Sequence, residues 1–388
     1  VDTVITARQV LVRPGSPITD GAVLVRDDKL VAVGEREDVL RQAPPDAVRH
    51  DFATSTLLPG LFNCHVHLAF DAEPDPVARI TSADPIGGGL GRARELLRSG
   101  VTTVRDLGDG GHLAIGVRQR MAGEPAPRIL SAATPLTVPG GHCHFFGGET
   151  ASDAEIAALI DANAEAGADV IKVMASGGQI TPGGADMWES QFDVRQLAFI
   201  VERAAEHGLR VAAHSHGADA IEACVDAGVA TIEHCTWMVG QGQIDLREPV
   251  AKRMAERGIA ACSTSSSNWR RMVERIGEEL AQRIYGRLPW LESHGVRLIA
   301  GTDAGLTGSV FDDPAGALEL YEWLGFPRTR ILEIATCDSA DVLGLGDVTG
   351  RLAPGYAADL LVVDGDPLTD LAALSKVQYV MAQGVPAL

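Results

Sequence analysis

The chain has 388 residues, of which 46% are hydrophobic and 22% charged, and its formal net charge is −19. That charge argues against nucleic acid as a partner, because binding a phosphate backbone needs a basic face. No apolar run approaches the roughly 18 residues of a membrane span, and nothing near Val1 has a signal peptide's charged-then-apolar layout.

At this length one large domain with a smaller one is expected. From the N-terminus, VDTVITARQVLV and GAVLVRDDKLVAVG alternate apolar and polar residues between Pro and Gly turns, the pattern of half-buried strands. The tail repeats that style in DLLVVDGDPLTD and KVQYVMAQG, so residues 1–57 and 349–388 are expected to share one small β-sandwich. Between them, short β runs alternate with helical stretches. Strands are expected near 57–64, 102–107, 128–132, 170–175, 211–215, 231–235, 259–263 and 298–302. SDAEIAALIDANAEAGA and DVRQLAFIVERAAEHG read as helices. In the second, Val194, Leu197, Ala198, Val201, Ala204 and Ala205 share a face, and Gly208 ends the run. Eight strands alternating with helices make residues 58–348 an α/β fold, a (β/α)8 TIM barrel, with the terminal β-sandwich beside it. The long gap between 132 and 170 leaves room for a loop rich in Gly and His over the barrel mouth.

The strand ends carry the chemistry. His65 and His67 close LFNCHVH, Lys172 interrupts VIKVMASGG, His214 lies in VAAHSHG, His234 in TIEHC and Asp303 in LIAGTDAG. Residues two apart on a strand share a face, so His65 and His67 both point into the barrel. The others end the fourth, fifth, sixth and eighth strands and converge on the C-terminal mouth, where barrel active sites lie. An HxH pair alone is explained as well by satisfied core histidines. Five metal-capable side chains in register at strand ends are not. The set predicts a hydrolytic centre holding two divalent metal ions.

Lys172 is the odd member, since an ammonium cannot ligate a cation. With a reference pKa of about 10.4, an unperturbed lysine is neutral only about one time in a few thousand at pH 7. Burial and neighbouring metal ions would depress that pKa. The neutral amine could then take up CO₂ to give N6-carboxylysine, whose two oxygens bridge two metals. The plainer alternative is a buried lysine paired with a carboxylate such as Asp303.

LLPGLFNCHVH, TTVRDLG, VIKVMASGG, QFDVRQL, VAAHSHG with GVATIEHC, GTDAG and GYAADLLVVDGDPL together resemble the amidohydrolase superfamily, in its imidazolonepropionase-like and prolidase-like (Xaa-Pro dipeptidase type) branch. The motifs span nearly the whole chain. The resemblance implies that His65, His67 and Asp303 hold one metal, that His214 and His234 hold the other, and that carboxylated Lys172 bridges them. It also implies a barrel with a terminal β-sandwich. Zinc is the default metal for such a His/carboxylate set, and manganese or iron would suit similar ligands.

Two ions sharing a water would supply hydroxide at neutral pH. Asp303 is then both ligand and general base, passing the proton to the leaving amine. Relatives carry a GGH segment whose histidine steadies the substrate carbonyl or oxyanion; by position that is His142 in Gly140–His144. His144 stands where relatives often have an acid. Trp237 follows the IEH motif where relatives often have a carbonyl-orienting tyrosine, and it offers only an indole N–H. Arg270 and Arg271 could bind a substrate carboxylate or merely begin a solvated helix. Arg105 reads as a structural ion-pair partner, and His216 as a supporting or surface residue rather than a ligand. Met187, Trp188 and Trp269 are candidates for apolar pocket walls.

The expected protein is therefore a metal-dependent enzyme cleaving a C–N bond in a small-molecule substrate: an amide, dipeptide or N-acyl compound. The rivals are hydrolysis of a cyclic amide, imidazolone or carbamate, then a mononuclear deaminase of an amino-heterocycle, then a non-catalytic scaffold that kept the barrel. Six scattered cysteines without a CxxC pair suit buried free thiols and a cytoplasmic location. A homo-oligomer would accord with the family. The βα loops, roughly 134–150, 176–191, 236–245, 264–272 and 304–313, choose the substrate and carry no recognisable code.

Overall fold

The computed structural model describes residues 2–80 and 84–387. Strands β1 (Asp2–Leu11), β2 (Pro17–Arg26), β3 (Lys29–Glu35) and β4 (Val48–Pro59) come first. β1 pairs antiparallel with β2 and parallel with β4. The expected strand over 57–64 is in fact two: Leu58 and Pro59 still belong to β4, and the barrel begins after Gly60.

The barrel strands are β5 (Leu61–Val66), β6 (Val101–Asp106), β7 (Arg128–Ser131), β8 (Ile171–Met174), β9 (Val211–Gly217), β10 (Thr231–Gly240) with its short partner β11 (Gln243–Ile244), β12 (Ala260–Cys262) and β13 (Leu298–Ile299). β5–β6–β7 and β8–β9–β10–β12–β13 are parallel ladders. Single hydrogen bonds close the two seams between them. On one side the Cys64 N–H donates to the Ala300 carbonyl (2.7 Å) and the Asp303 N–H to the His65 carbonyl (2.9 Å). On the other, the Leu136 N–H donates to the Lys172 carbonyl (2.8 Å) and the Met174 N–H to the Leu136 carbonyl (2.9 Å). All eight expected barrel strands are present, with the terminal sheet beside them.

β14 (Leu360–Asp364), β15 (Val377–Ala382) and β16 (Val385–Pro386) return to the first sheet, giving the order β16-β15-β14-β4-β1-β2-β3. One apolar cluster unites Ile5, Val23, Leu57, Leu360 and Met381 from both termini. The opposite face packs Val4 and Leu24 against Val39 of the helix Arg36–Gln42.

The two expected helices span Asp153–Ala166 and Val194–Glu206. Asp193 caps the second with a reciprocal box to Gln196. Its buried face is Leu197, Ile200 and Ala204, whereas Val194 is 46% exposed and Ala205 is exposed too. The 197/200/204 spacing is the true helical stripe; alanines at 198 and 205 add little apolar area and do not hold a second one.

Gly301 sits in the β13–β5 seam, where an added Cβ would lie 2.4 Å from Cys262 Sγ and 2.9 Å from His65 Cβ. Gly301→Ala should therefore overpack the seam and destabilise the fold by about 1–3 kcal/mol. A fall in the urea unfolding midpoint checks this.

Candidate metal centre

The floor of the barrel mouth is a buried charge network. Glu233 is wholly buried on β10, one residue before His234. Arg105 of β6 donates through Nη2 to Glu233 Oε1 (2.8 Å), through Nη1 to Thr231 Oγ1 (3.1 Å) and through Nε to the Cys64 carbonyl (2.8 Å). Burial works against the Glu233 carboxylate, but Arg105 and then His65 hold its pKa well below the usual carboxylate range. Arg105 is thus the structural ion-pair partner expected of it. Glu233 is the residue the sequence reading missed, although an acid inside the apolar run TIEHC is a visible signal.

An ionised Glu233 can only accept, so it fixes a tautomer. His65 Nδ1–H donates to Glu233 Oε2 (2.8 Å), leaving His65 Nε2 without a proton. His67 Nδ1–H donates to the Gly108 carbonyl (3.0 Å), leaving its Nε2 bare as well. Both bare nitrogens lie 3.3 Å from the same atom, Asp303 Oδ1. That oxygen is buried and has no hydrogen-bond donor. Burial favours a neutral Asp303, yet the His65 and His67 rings, where protonated, hold its pKa well below the carboxylate range, and against burial the same carboxylate raises the pKa of His67. With both imidazoles neutral, three lone pairs face one another, an arrangement that a bound cation satisfies.

The other imidazoles follow the same logic. His214 Nε2–H donates to the Gly177 carbonyl (3.0 Å), so Nδ1 is its free nitrogen. The Thr264 hydroxyl donates to the Ser263 carbonyl (2.7 Å), so it must accept from His234 Nδ1–H (2.7 Å). His234 Nε2 is then free. Burial, followed by the neighbouring imidazoles, drives the His214 and His234 pKa values well below 6.5. Both are therefore in the neutral form that ligates metals. One nitrogen from each of His214, His216 and His234 fits within 4.8 Å of the others, and so does one atom from each of His65, His234 and Asp303. The donor set fits metal ions.

Backbone strain supports two of these positions. His234 (φ 66°) and Asp303 (φ 57°) adopt left-handed conformations that cost non-glycine residues roughly 1–3 kcal/mol each. Arg287, itself buried, donates to the His234 carbonyl through Nε (3.2 Å) and Nη2 (3.0 Å) and holds that turn. Nothing in the sequence marked Arg287, which lies on a helix remote in the chain.

Lys172 is 1% exposed on β8, and burial lowers its pKa despite the opposing pull of Glu233 and Asp303. Its side chain makes no hydrogen bond or ion pair among the described residues, so the Lys172–Asp303 salt bridge weighed as an alternative is not formed. It lines a cavity of about 150 Å³ together with His65, His67, His142, His214, His216, His234 and Asp303.

His142 stands in that wall, its ring 4.5 Å from that of His214. Its Nδ1 meets Thr181 Oγ1 (3.0 Å), which already accepts from the Cys143 N–H (2.9 Å). The Thr181 hydroxyl keeps a proton that it can donate to Nδ1, the arrangement that puts the His142 proton on Nε2. Burial, with Lys172 second, lowers its pKa to about 4, so it is a neutral donor above that pH. An added Cβ on Gly178 would lie 2.3 Å from the His142 ring, which explains the glycine.

Three expected substrate contacts are elsewhere. Trp237 is wholly buried and packs edge-on against Trp290, away from the cavity. Arg270 faces out, paired with Glu319 (2.6 Å) and lying over Trp269. His144 is half-buried against Phe145 and does not line the cavity. Conversely His216, not expected as a ligand, is buried in the cavity wall, stacked 4.4 Å from His234 with Nδ1 on Thr236 Oγ1 (2.9 Å). All six cysteines are buried and free.

Arg105→Met should destabilise the protein by about 3–5 kcal/mol, because it leaves Glu233 charged and unpaired. Adding Glu233→Gln should restore part of that loss. Urea denaturation of the two variants decides it.

The amidohydrolase family model matches residues 56–386, and a bacterial imidazolonepropionase-like composite domain matches residues 21–45. Ochratoxinase of Aspergillus niger is 28% identical over 417 residues, covering 95% of this chain and 82% of that one. Imidazolonepropionase of Deinococcus deserti is 28% identical over 396 residues, covering 94% and 90%. A solved Xaa-Pro dipeptidase with methionine bound in its active site superposes with a TM-score of 0.87 at 24% identity, covering 100% and 99% of the two chains. No helix among the described residues is long and apolar enough to cross a membrane. With the barrel, the terminal sheet and the mouth histidines in place, the chain belongs to the amidohydrolase family, enzymes acting on C–N bonds.

Proposed function

We propose that the protein hydrolyses an acyclic amide, dipeptide or N-acyl bond at a binuclear centre in the barrel mouth, residues 58–348 forming the catalytic domain and 1–57 with 349–388 the supporting one. His65, His67 and Asp303 would hold one divalent ion, His214 and His234 the other, and carboxylated Lys172 would bridge them. Zinc is the metal we assign. When bound, such a pair supplies Lewis acidity to the carbonyl and brings the pKa of a water from 15.7 towards about 7.

The chain's own groups do the rest. Lys172, unprotonated through burial, adds through Nζ to CO₂ and loses one proton, becoming the carbamate. Asp303 accepts the proton of the attacking water as oxygen adds to the carbonyl carbon, then delivers it to nitrogen as the C–N bond breaks. His142 Nε2–H, neutral and held by Thr181, donates to the carbonyl oxygen as negative charge develops there. The observation that carries this reading is Asp303 Oδ1, buried without a hydrogen-bond partner 3.3 Å from one nitrogen of each of His65 and His67.

The similarity to imidazolonepropionase favours one second reading, hydrolysis of a cyclic amide. Turnover of dipeptides and N-acyl amino acids beside cyclic amides and carbamates separates the two. A mononuclear deaminase is separated by metal content.

Elemental analysis should find two metals per chain, falling to one or none in Lys172→Met. ¹³C NMR of protein equilibrated with labelled bicarbonate should show a carbamate resonance that this variant loses. One metal and an unmodified lysine would instead fit deamination. Asp303→Asn should lower kcat at least a hundredfold with an unchanged circular dichroism spectrum; retained activity would remove Asp303 as the base.

A further inference from the structure

The 150 Å³ reaction cavity is too small to enclose a drug-sized molecule, for which roughly 300–1,000 Å³ is usual. It opens, through the shared residues Gln179 and Met187, onto a second groove of about 700 Å³. Three different connections build that groove. They are the loop after β8 (178–188), the β10–β11 hairpin and the helices Trp269–Ile276 and Glu278–Tyr285.

Ile244 and Tyr285 of its lining pack against the core, but most of its apolar side chains do not. Met187, Trp188, Met238, Met272, Ile276 and Ile284 all face the groove, and none joins a hydrophobic core cluster. Met272 is 36% exposed. The charged lining residues are Asp186 and Arg275. An apolar surface of this kind, left open beside a reactive cavity, marks a ligand surface. Three of the chain's seven methionines lie here, and their flexible, polarizable side chains adapt to more than one apolar shape. Thr236 lines the groove and bonds His216 Nδ1, so the groove wall is hydrogen-bonded to the cavity wall.

We infer that the substrate is an amide bearing a bulky apolar group, a long acyl or alkyl chain or an aromatic system. The reacting carbonyl enters the cavity and the apolar body lies in the outer groove. The choice of scissile bond rests on the amide-hydrolysis reading; the groove's ligand class does not.

Two measurements test it on the full-length, metal-loaded enzyme. The first is kcat/KM for N-acylglycines from acetyl to dodecanoyl, and for N-acetyl alkylamines of matching lengths. At least a tenfold rise along one series is expected. Met238→Glu with Ile276→Glu, and separately the milder Met272→Ala, should flatten that rise, the double variant nearly completely. The second is binding of 11-(dansylamino)undecanoic acid followed by its fluorescence, which needs no turnover. The double variant should weaken it at least tenfold. Equal kcat/KM for short and long members of both series overturns the proposal, as does probe binding indifferent to the variants. If no amide is cleaved while probe binding still follows the variants, the groove stands and the amide-hydrolysis reading falls.

Discussion

The mouth of this barrel depends on one buried contact, the pair of Arg105 and Glu233 at its floor. A carboxylate wholly removed from water is costly unless a cation and hydrogen bonds meet it, and here a guanidinium, a threonine hydroxyl and an imidazole do so. Because Arg105 keeps Glu233 ionised, Glu233 can only accept, and His65 must present its bare nitrogen upwards. The electrostatics of the floor thereby choose the protonation state of a side chain in the layer above. The same device recurs with different acceptors: Gly108 for His67, Gly177 for His214 and Thr264 for His234. Each outer partner uses up the one imidazole proton, and what remains facing the cavity is a ring of acceptors.

Such a ring is unfavourable by itself. With the imidazoles neutral, lone pairs at 3.3 Å repel, and the chain adds left-handed backbone at His234 and Asp303. Surrounding structure offsets this, through the Arg287 clamp on the His234 carbonyl and the Asp303 N–H bond to His65 across the barrel seam. Strain held in place at converging acceptors is what preorganisation for a cation looks like. Lys172 fits the same economy of charge: a lysine with no hydrogen-bond or ion-pair partner among the described residues, buried beside that ring, is pushed toward the neutral amine rather than stabilised as an ammonium.

How much of this was legible in the sequence depends on where regular periodicity ends. The eight barrel strands and their six terminal side chains could be read because buried parallel strands are short apolar runs, and a His, Lys or Asp interrupting one is conspicuous. The readings failed past the strand ends. Trp237 was placed in the pocket by counting from His234, but positive φ at His234, Cys235 and Trp237 breaks the alternation, and the indole turns into the core. Arg270 was free to choose between substrate and solvent, and Glu319, 49 residues away, settled it. His216 reads from the sequence as a supporting or surface residue, yet it is buried in the cavity wall. Since residues two apart share a strand face, the burial of His214 already implied that of His216.

The division between legible and illegible parts is also a division of labour. Groups whose protonation must be fixed sit on strands, where ladder hydrogen bonds and packing restrict them from several sides. The outer groove is built from a loop, a hairpin and two short helices, whose groove-facing Met187, Trp188, Met238, Met272, Ile276 and Ile284 stand outside the main core. Rigid strand ends suit atoms that must stay within tenths of an ångström, while methionine-lined connections suit a surface that conforms to its ligand. Substitutions in the groove can therefore change which molecule is held without disturbing the proton arrangement beneath it. Thr236 and Thr181 tie the two layers together, each lining the groove while the first bonds His216 and the second His142. A barrel of this design can diversify its substrates through these connections while its floor stays the same.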